Sequence, residues 1–167
     1  MKLRTALCAT LVALSLTSIA SAQNVEVKDA WARATVQGQK ATGAFMTLTS
    51  KTTAKLVGAT SSVAGVTEVH EMKMDNGVMK MKAVEGGLEL PAGKATSLKP
   101  GGYHVMLMDL KLPLQKDTTI PLTLVFKDAK GVESKMELKV PVSQTAPGGG
   151  AGMGGHQHGD MASKPKQ

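Results

Sequence analysis

Histidine and methionine are the residue types here best suited to chemistry, and they occur together. All four histidines fall into two groups, each accompanied by methionines. The first group runs His70-Glu-Met72-Lys-Met74-Asp-Asn-Gly-Val-Met79-Lys-Met81 and resumes at Tyr103-His104-Val-Met106-Leu-Met108. Its ligand-like skeleton is His70, ten residues, Met81, twenty-two residues, His104, one residue, Met106. The second group, Met153, His156, His158 and Met161, lies near the C-terminus.

Imidazole plus thioether describes a soft, neutral donor set. A thioether carries no proton and suits Cu(I) better than Zn²⁺, Mg²⁺ or Ca²⁺. Two histidines and two methionines at one centre would hold Cu(I) without a thiolate. That is useful in an oxidising compartment, where paired cysteines drift to disulfide. Neutral ligands also leave the ion more exchangeable, which fits transfer better than storage. Rival chemistries are weaker. Glu71 and Asp75 beside these residues raise a harder metal such as Zn²⁺, for which methionines are poor company. A blue-copper centre needs a cysteine thiolate. No nucleophile elbow is present, no pair of carboxylates stands out, and no catalytic residue is expected. Met46 and Met136 read as core filling. Met72, Met74, Met79 and Met108 also read first as core filling, with assisting the metal as the alternative.

The sequence begins with export signals. Lys2 and Arg4 precede an apolar stretch from Ala6 to Ile19, and Ala20-Ser21-Ala22 is a small-x-small cleavage site. Residues 1–22 therefore read as a signal peptide. The stretch is shorter than the roughly 20 apolar residues of a membrane span, so no integral membrane segment is expected after cleavage. Cleavage before Gln23 would leave 145 of the 167 residues and remove Cys8, the only cysteine, which sits too early to read as a lipid-attachment site. The remaining charge, 18 Lys+Arg against 13 Asp+Glu, is mild. Arg33 is then the only arginine and aromatics are few, so nucleic acid is not an expected partner.

Strands must position these residues. Val132-Glu-Ser-Lys-Met-Glu-Leu-Lys-Val140 alternates, placing Val132, Met136, Leu138 and Val140 on one face. Further strands are expected over 24–34, 42–49, 54–60, 66–74, 78–83, 103–110 and 120–127, separated by Gly, Pro, Asn and Asp turn signals. Trp31 and Phe126 read as core, and Tyr103 as packing rather than as a cover for the site. Asn76-Gly77 is a two-residue hairpin signal. With that loop Met74 faces Met79, Met72 faces Met81, His70 faces Ala83 and Glu71 faces Lys82, an expected ion pair. Strand parity then puts His70, Met72, Met74, Met79 and Met81 on one face, with His70 diagonal to Met81 at about 7–8 Å. His104, Met106, Met108 and Leu110 share one face of their strand, while Val105 and Leu107 share the other. The pattern does not say which of the two packs the core. Residues 23–143 are expected to form one all-β domain. Residues 144–167, with seven glycines between 148 and 159, read as a disordered tail.

At these residues the sequence resembles the periplasmic copper chaperone family often called PCuAC. The matching parts are Ala30-Trp-Ala-Arg33, Ala41-Thr-Gly-Ala-Phe-Met46, Val69-His-Glu-Met72, Gly77-Val-Met-Lys-Met81 and Leu98-Lys-Pro-Gly-Gly-Tyr-His-Val-Met-Leu-Met108. The resemblance covers about residues 25–141. It implies a cupredoxin-like Greek-key antiparallel β-sandwich or barrel. It also implies a non-enzymatic function, with Cu(I) held by His70, Met81, His104 and Met106. The implied destination is the dinuclear copper site of cytochrome c oxidase in the periplasm. The copper acceptor would be the oxidase copper subunit or a Sco-type chaperone. The tail matches a His/Met-rich extension carried by some members: Met153 and Met161 suit Cu(I), while His156 and His158 with Asp160 suit Cu(II). A copper buffer without a dedicated acceptor and a metal-free interaction domain are the competing readings.

Overall fold

The computed structural model describes residues 24–147. The signal-peptide expectation for 1–22 and the tail ligands Met153, His156, His158 and Met161 lie outside them. The described residues form ten strands and no helix. The strands are β1 Val25–Arg33, β2 Ala41–Ser50, β3 Ala54–Thr60, β4 Val66–Asp75, β5 Val78–Ala83, β6 Leu88–Leu90, β7 Ala95–Leu98, β8 Tyr103–Met108, β9 Thr119–Asp128 and β10 Glu133–Ser143. The short β6 and β7, squeezed between the glycine and proline turns, were not expected from the sequence.

Hydrogen bonding orders the strands β5-β4-β8-β7-β2-β1-β10-β9-β3-β6, with β8 also paired to β2. The sheet curls into a cupredoxin-like half-barrel. Most pairings are antiparallel, but β1 runs parallel to β10 and β7 parallel to β8. Leucines and valines of the inner face close one continuous core. Ala44, Met46 and Leu48 of β2 join Val105 and Leu107 of β8 and, from the other half, Leu56, Leu122, Leu124, Phe126, Met136 and Val140. Each such leucine, valine, methionine or phenylalanine contributes roughly 1.5–3 kcal/mol through burial. Met46 and Met136 are packing residues, 2% and 6% exposed.

Two local features shift faces relative to simple alternation. Asp29 takes a positive φ of 51°, and the β1–β2 register slips by one residue between Lys28 and Trp31. This bulge moves Trp31 from the face that alternation from Val25 and Val27 would give it onto the opposite face, beside Phe45. Trp31 is buried as expected, 5% exposed, but it packs with Phe45 apart from the main hydrophobic cluster. At the end of β8, Asp109 has φ 53° and stops the strand, so Leu110 turns into the core instead of continuing the face of Met108. Val132 also departs from expectation. It sits in the β9–β10 turn, its N–H donating to Asp128 Oδ1, and is 61% exposed.

Candidate metal centre

The β4–β5 hairpin is the first element of the site. Asn76 and Gly77 have φ of 50° and 78°, the left-handed pair a two-residue type I′ turn requires. The register follows: Met74 pairs with Met79, Met72 with Met81, and His70 with Ala83. The second element is β8, flanked by β4 and β2. Here His70 pairs directly with His104, Glu68 with Met106, and Gly43 of β2 with Met106 from the other side. Val105 and Leu107 are fully buried in the core, which settles the facing of β8. His104 and Met106 lie on the outer face, with Met108 two residues farther along.

His104 is nevertheless only 5% exposed. It is covered on the outer face by a cleft of about 250 Å³ whose walls include Met72, Met81, Met106, Phe45 and Arg33. Phe45 links the cleft to its support. Its ring stacks on Trp31 with centroids 4.7 Å apart, lies 6.3 Å from the His104 ring, and carries the Arg33 guanidinium 5.6 Å from its centroid. A larger groove of about 570 Å³ along Thr60–Ser62 and Pro121–Thr123 contains no histidine or methionine. It has none of the donor chemistry of the cleft.

Hydrogen bonds fix the histidine tautomers. His104 Nδ1 lies 3.0 Å from the Gly102 carbonyl. A carbonyl only accepts, so Nδ1 carries the proton and the neutral ring presents a bare Nε2. That Nε2 is 3.2 Å from Met81 Sδ. Both atoms offer lone pairs and neither is a proton donor to the other. An ion with bonds of about 2.0 Å to nitrogen and 2.3 Å to sulfur would hold such atoms roughly 3.5 Å apart at a tetrahedral angle. The same logic applies to His70. Its Nε2 donates to Glu68 Oε2 at 2.9 Å, which in the neutral ring leaves Nδ1 bare. That Nδ1 is buried without a hydrogen-bond partner, and the two imidazole centroids are 6.0 Å apart. A buried, unpaired ring nitrogen is costly unless something else occupies its lone pair.

His70, Met81, His104 and Met106 therefore share one face, with the last three lining one cleft. Glu68, the Gly102 carbonyl and Phe45 are parts of the site that the sequence reading did not single out. Glu68 had a signal, standing two residues before His70 on the same strand face. Met74 and Met79 lie farther along the hairpin and are 65% and 44% exposed, so they are not core filler.

The carboxylates Glu71 and Asp75 face the reverse side of β4. The expected Glu71–Lys82 ion pair does not form: Glu71 instead binds Lys73 at 2.9 Å, on its own strand. The hydrogen-bonded Lys73 ammonium is the main cause holding the Glu71 carboxyl below its usual value, with a smaller contribution from the Tyr103 hydroxyl. Tyr103 accordingly sits on the reverse face and packs against the core. Among the described residues no group of three or more His, Cys, Asp or Glu comes together, so the harder donor set is not assembled.

A family model, LpqE-like ("Putative lipoprotein LpqE-like"), matches residues 25–142. A Leifsonia xyli subsp. xyli protein described as "Putative lipoprotein Lxx21020" is 40% identical over 121 residues, 72% of this chain and 70% of that one. The solution structure of CuI-DR1885 from Deinococcus radiodurans is 32% identical with a TM-score of 0.55, covering 75% of this chain and 83% of that one. The copper-bound PCuAC domain from PmoF2 is 21% identical with a TM-score of 0.53, covering 71% and 93% respectively, a likeness of fold. The family match runs from the first residue of β1 to the penultimate residue of β10, and the chain belongs to the LpqE-like family.

Proposed function

We propose that the protein is an exported, non-enzymatic copper chaperone. It binds Cu(I) through His70, Met81, His104 and Met106 and passes it to an acceptor protein. The observation that carries this reading is the meeting of donor atoms. His104 Nε2 lies 3.2 Å from Met81 Sδ, and the His70 ring, whose Nδ1 is buried and unpartnered, stands 6.0 Å from the His104 ring. Two imidazole nitrogens and two thioethers, with no thiolate, match the preference of a soft monovalent ion. The 32% identity to a protein solved with Cu(I) supports the same cargo.

The geometry also supports transfer. Copper is the cargo, and all four donors bind it as neutral groups, without a thiolate to hold it more tightly. His104 and Met106 come from an interior strand, whereas Met81 comes from edge strand β5 and is 47% exposed. An acceptor ligand can replace the Met81 sulfur while the histidines still hold the ion. We place the protein in the periplasm, delivered by a signal peptide over 1–22, with the folded domain at 23–143. The acceptor is the dinuclear copper site of cytochrome c oxidase or a Sco-type chaperone that serves it. The tail from 144 forms an auxiliary site through Met153, His156, His158 and Met161 that takes up Cu(I) or Cu(II).

The test is Cu(I) competition against a chromophoric chelator, using the chain from Gln23 and its His70→Ala/Met81→Ala variant. The parent should compete and the variant should not. Equal, negligible competition by both would end the copper reading. Transfer to an apo oxidase copper domain separates a chaperone from a buffer, which would retain its copper. Repeating the titration without residues 144–167 should remove only the auxiliary binding.

A further inference from the structure

The four-ligand centre leaves a row of thioethers unused. Met74 faces Met79 and Met72 faces Met81, two successive cross-strand pairs leading from the hairpin turn to His104. All stand on the same face as the histidines. β5 contributes no buried residue at all, so its methionines do not serve packing. Nor is methionine among the residue types that strands favour. Exposing several apolar side chains together is unusual unless they have a partner. What methionine adds here, compared with a threonine or valine, is soft sulfur.

The spacing suits a metal. Directly opposed residues have Cβ atoms about 4.5–5.5 Å apart. Two flexible thioether arms on them can close to the roughly 4 Å that separates sulfurs bound to one ion with bonds of about 2.3 Å. Successive pairs on one face are about 7 Å apart. The charges nearby do not oppose a cation. Lys73 and Lys80 project from the reverse face, where Glu71 and Asp75 pair with them.

We infer that Met74 and Met79, assisted by Met72, form a second and weaker Cu(I) site at the hairpin end, through which copper reaches and leaves the His/Met centre. This rests on the Cu(I) reading above. Each step is a ligand exchange: one Cu–S bond forms as another breaks, copper stays Cu(I), and no proton moves because thioethers carry none. Met81 belongs to both sites and is the transfer point between them.

The test uses the chain from Gln23, with ¹³C-labelled methionine methyl groups, titrated anaerobically with Cu(I) as its acetonitrile complex. The resonances are assigned by single Met→Leu substitutions, which conserve volume. The first equivalent should shift the Met81 and Met106 methyls, and further equivalents those of Met74 and Met79. A Met74→Leu/Met79→Leu variant should keep the first set of shifts and lose the second. It should also release Cu(I) several-fold more slowly to a small chromophoric chelator. Stationary Met74 and Met79 methyls, with the first set of shifts intact, would overturn the proposal. So would a variant that slows transfer only to a protein acceptor, because the hairpin would then be a docking surface. Absence of the first set of shifts would instead sink the His/Met centre, and this proposal with it.

Discussion

Gly43→Ala tests how the fold shapes the cleft. A β-carbon on Gly43 would lie 2.7 Å from Phe45 Cζ, with two further ring carbons at 3.3 and 3.4 Å. Carbon atoms rest at about 3.5–4.0 Å, so the ring would have to retreat by roughly an ångström. It is pinned between Trp31 and the His104 side of the cleft. Two effects compete. Gly43 has ordinary strand backbone, so alanine restricts the unfolded chain and stabilises by about 0.4–1 kcal/mol. Overpacking against a held ring costs about 1–3 kcal/mol. The clash should win, for a net loss of about 1–2 kcal/mol and a Tm lowered by several degrees. In a Phe45→Leu background the obstacle is gone, and the same substitution should become neutral or stabilise by up to about 1 kcal/mol. Urea denaturation of the four metal-free proteins gives the cycle. An equal loss in both backgrounds would refute the argument, because something other than the Phe45 ring would then require the glycine.

Three further outcomes follow from the same geometry. Glu68→Ala frees the His70 tautomer and should weaken Cu(I) binding by about tenfold, the lower end of the range for such partners because Glu68 is partly solvent-exposed; unchanged chelator competition would show that Glu68 does not position the ring. Met81→Leu should abolish tight Cu(I) binding yet leave the urea midpoint of the metal-free protein unchanged, because this side chain is 47% exposed; a large drop in midpoint would mean that Met81 is structural. Lys73→Ala should raise the Glu71 titration midpoint followed by carboxyl NMR, since the Lys73 hydrogen bond is the largest cause holding that carboxyl down. A depressed folded-state value means that the stabilisation is present above the ordinary carboxylate range and fades as pH falls through the depressed value. A midpoint that stays put would assign the depression to other causes.

The hairpin was the most legible part of the site. Its turn uses two adjacent residues with positive φ, a local requirement that Asn76-Gly77 announces, and parity fixes the rest. The facing of β8 was not legible, because His104, Met106 and Met108 compete with Val105 and Leu107 as apolar rows, and only the core packed beneath them decides. The pairing of His70 with His104 joins residues far apart in sequence through β4 and β8, and no local rule specifies it. The burial of Trp31 was legible but its face was not, because a single bulge at Asp29 inverts the strand alternation. The strands β6 and β7 are three and four residues long, too short to show a period. The tautomers were invisible for a different reason. They depend on the Gly102 carbonyl and on Glu68, whose roles exist only once the strands are aligned.

The position of β5 at the sheet edge has a consequence for time rather than affinity. Among the described residues its backbone pairs on one side only, with β4, and none of its side chains is buried. Amide exchange should therefore find it among the least protected strands, opening by local fraying while β8 stays closed. Cargo residence would then follow the opening frequency of one hairpin instead of the global stability of the domain. Substitutions at Asn76 or Gly77 could reset the release rate while leaving the histidines and their hydrogen bonds untouched.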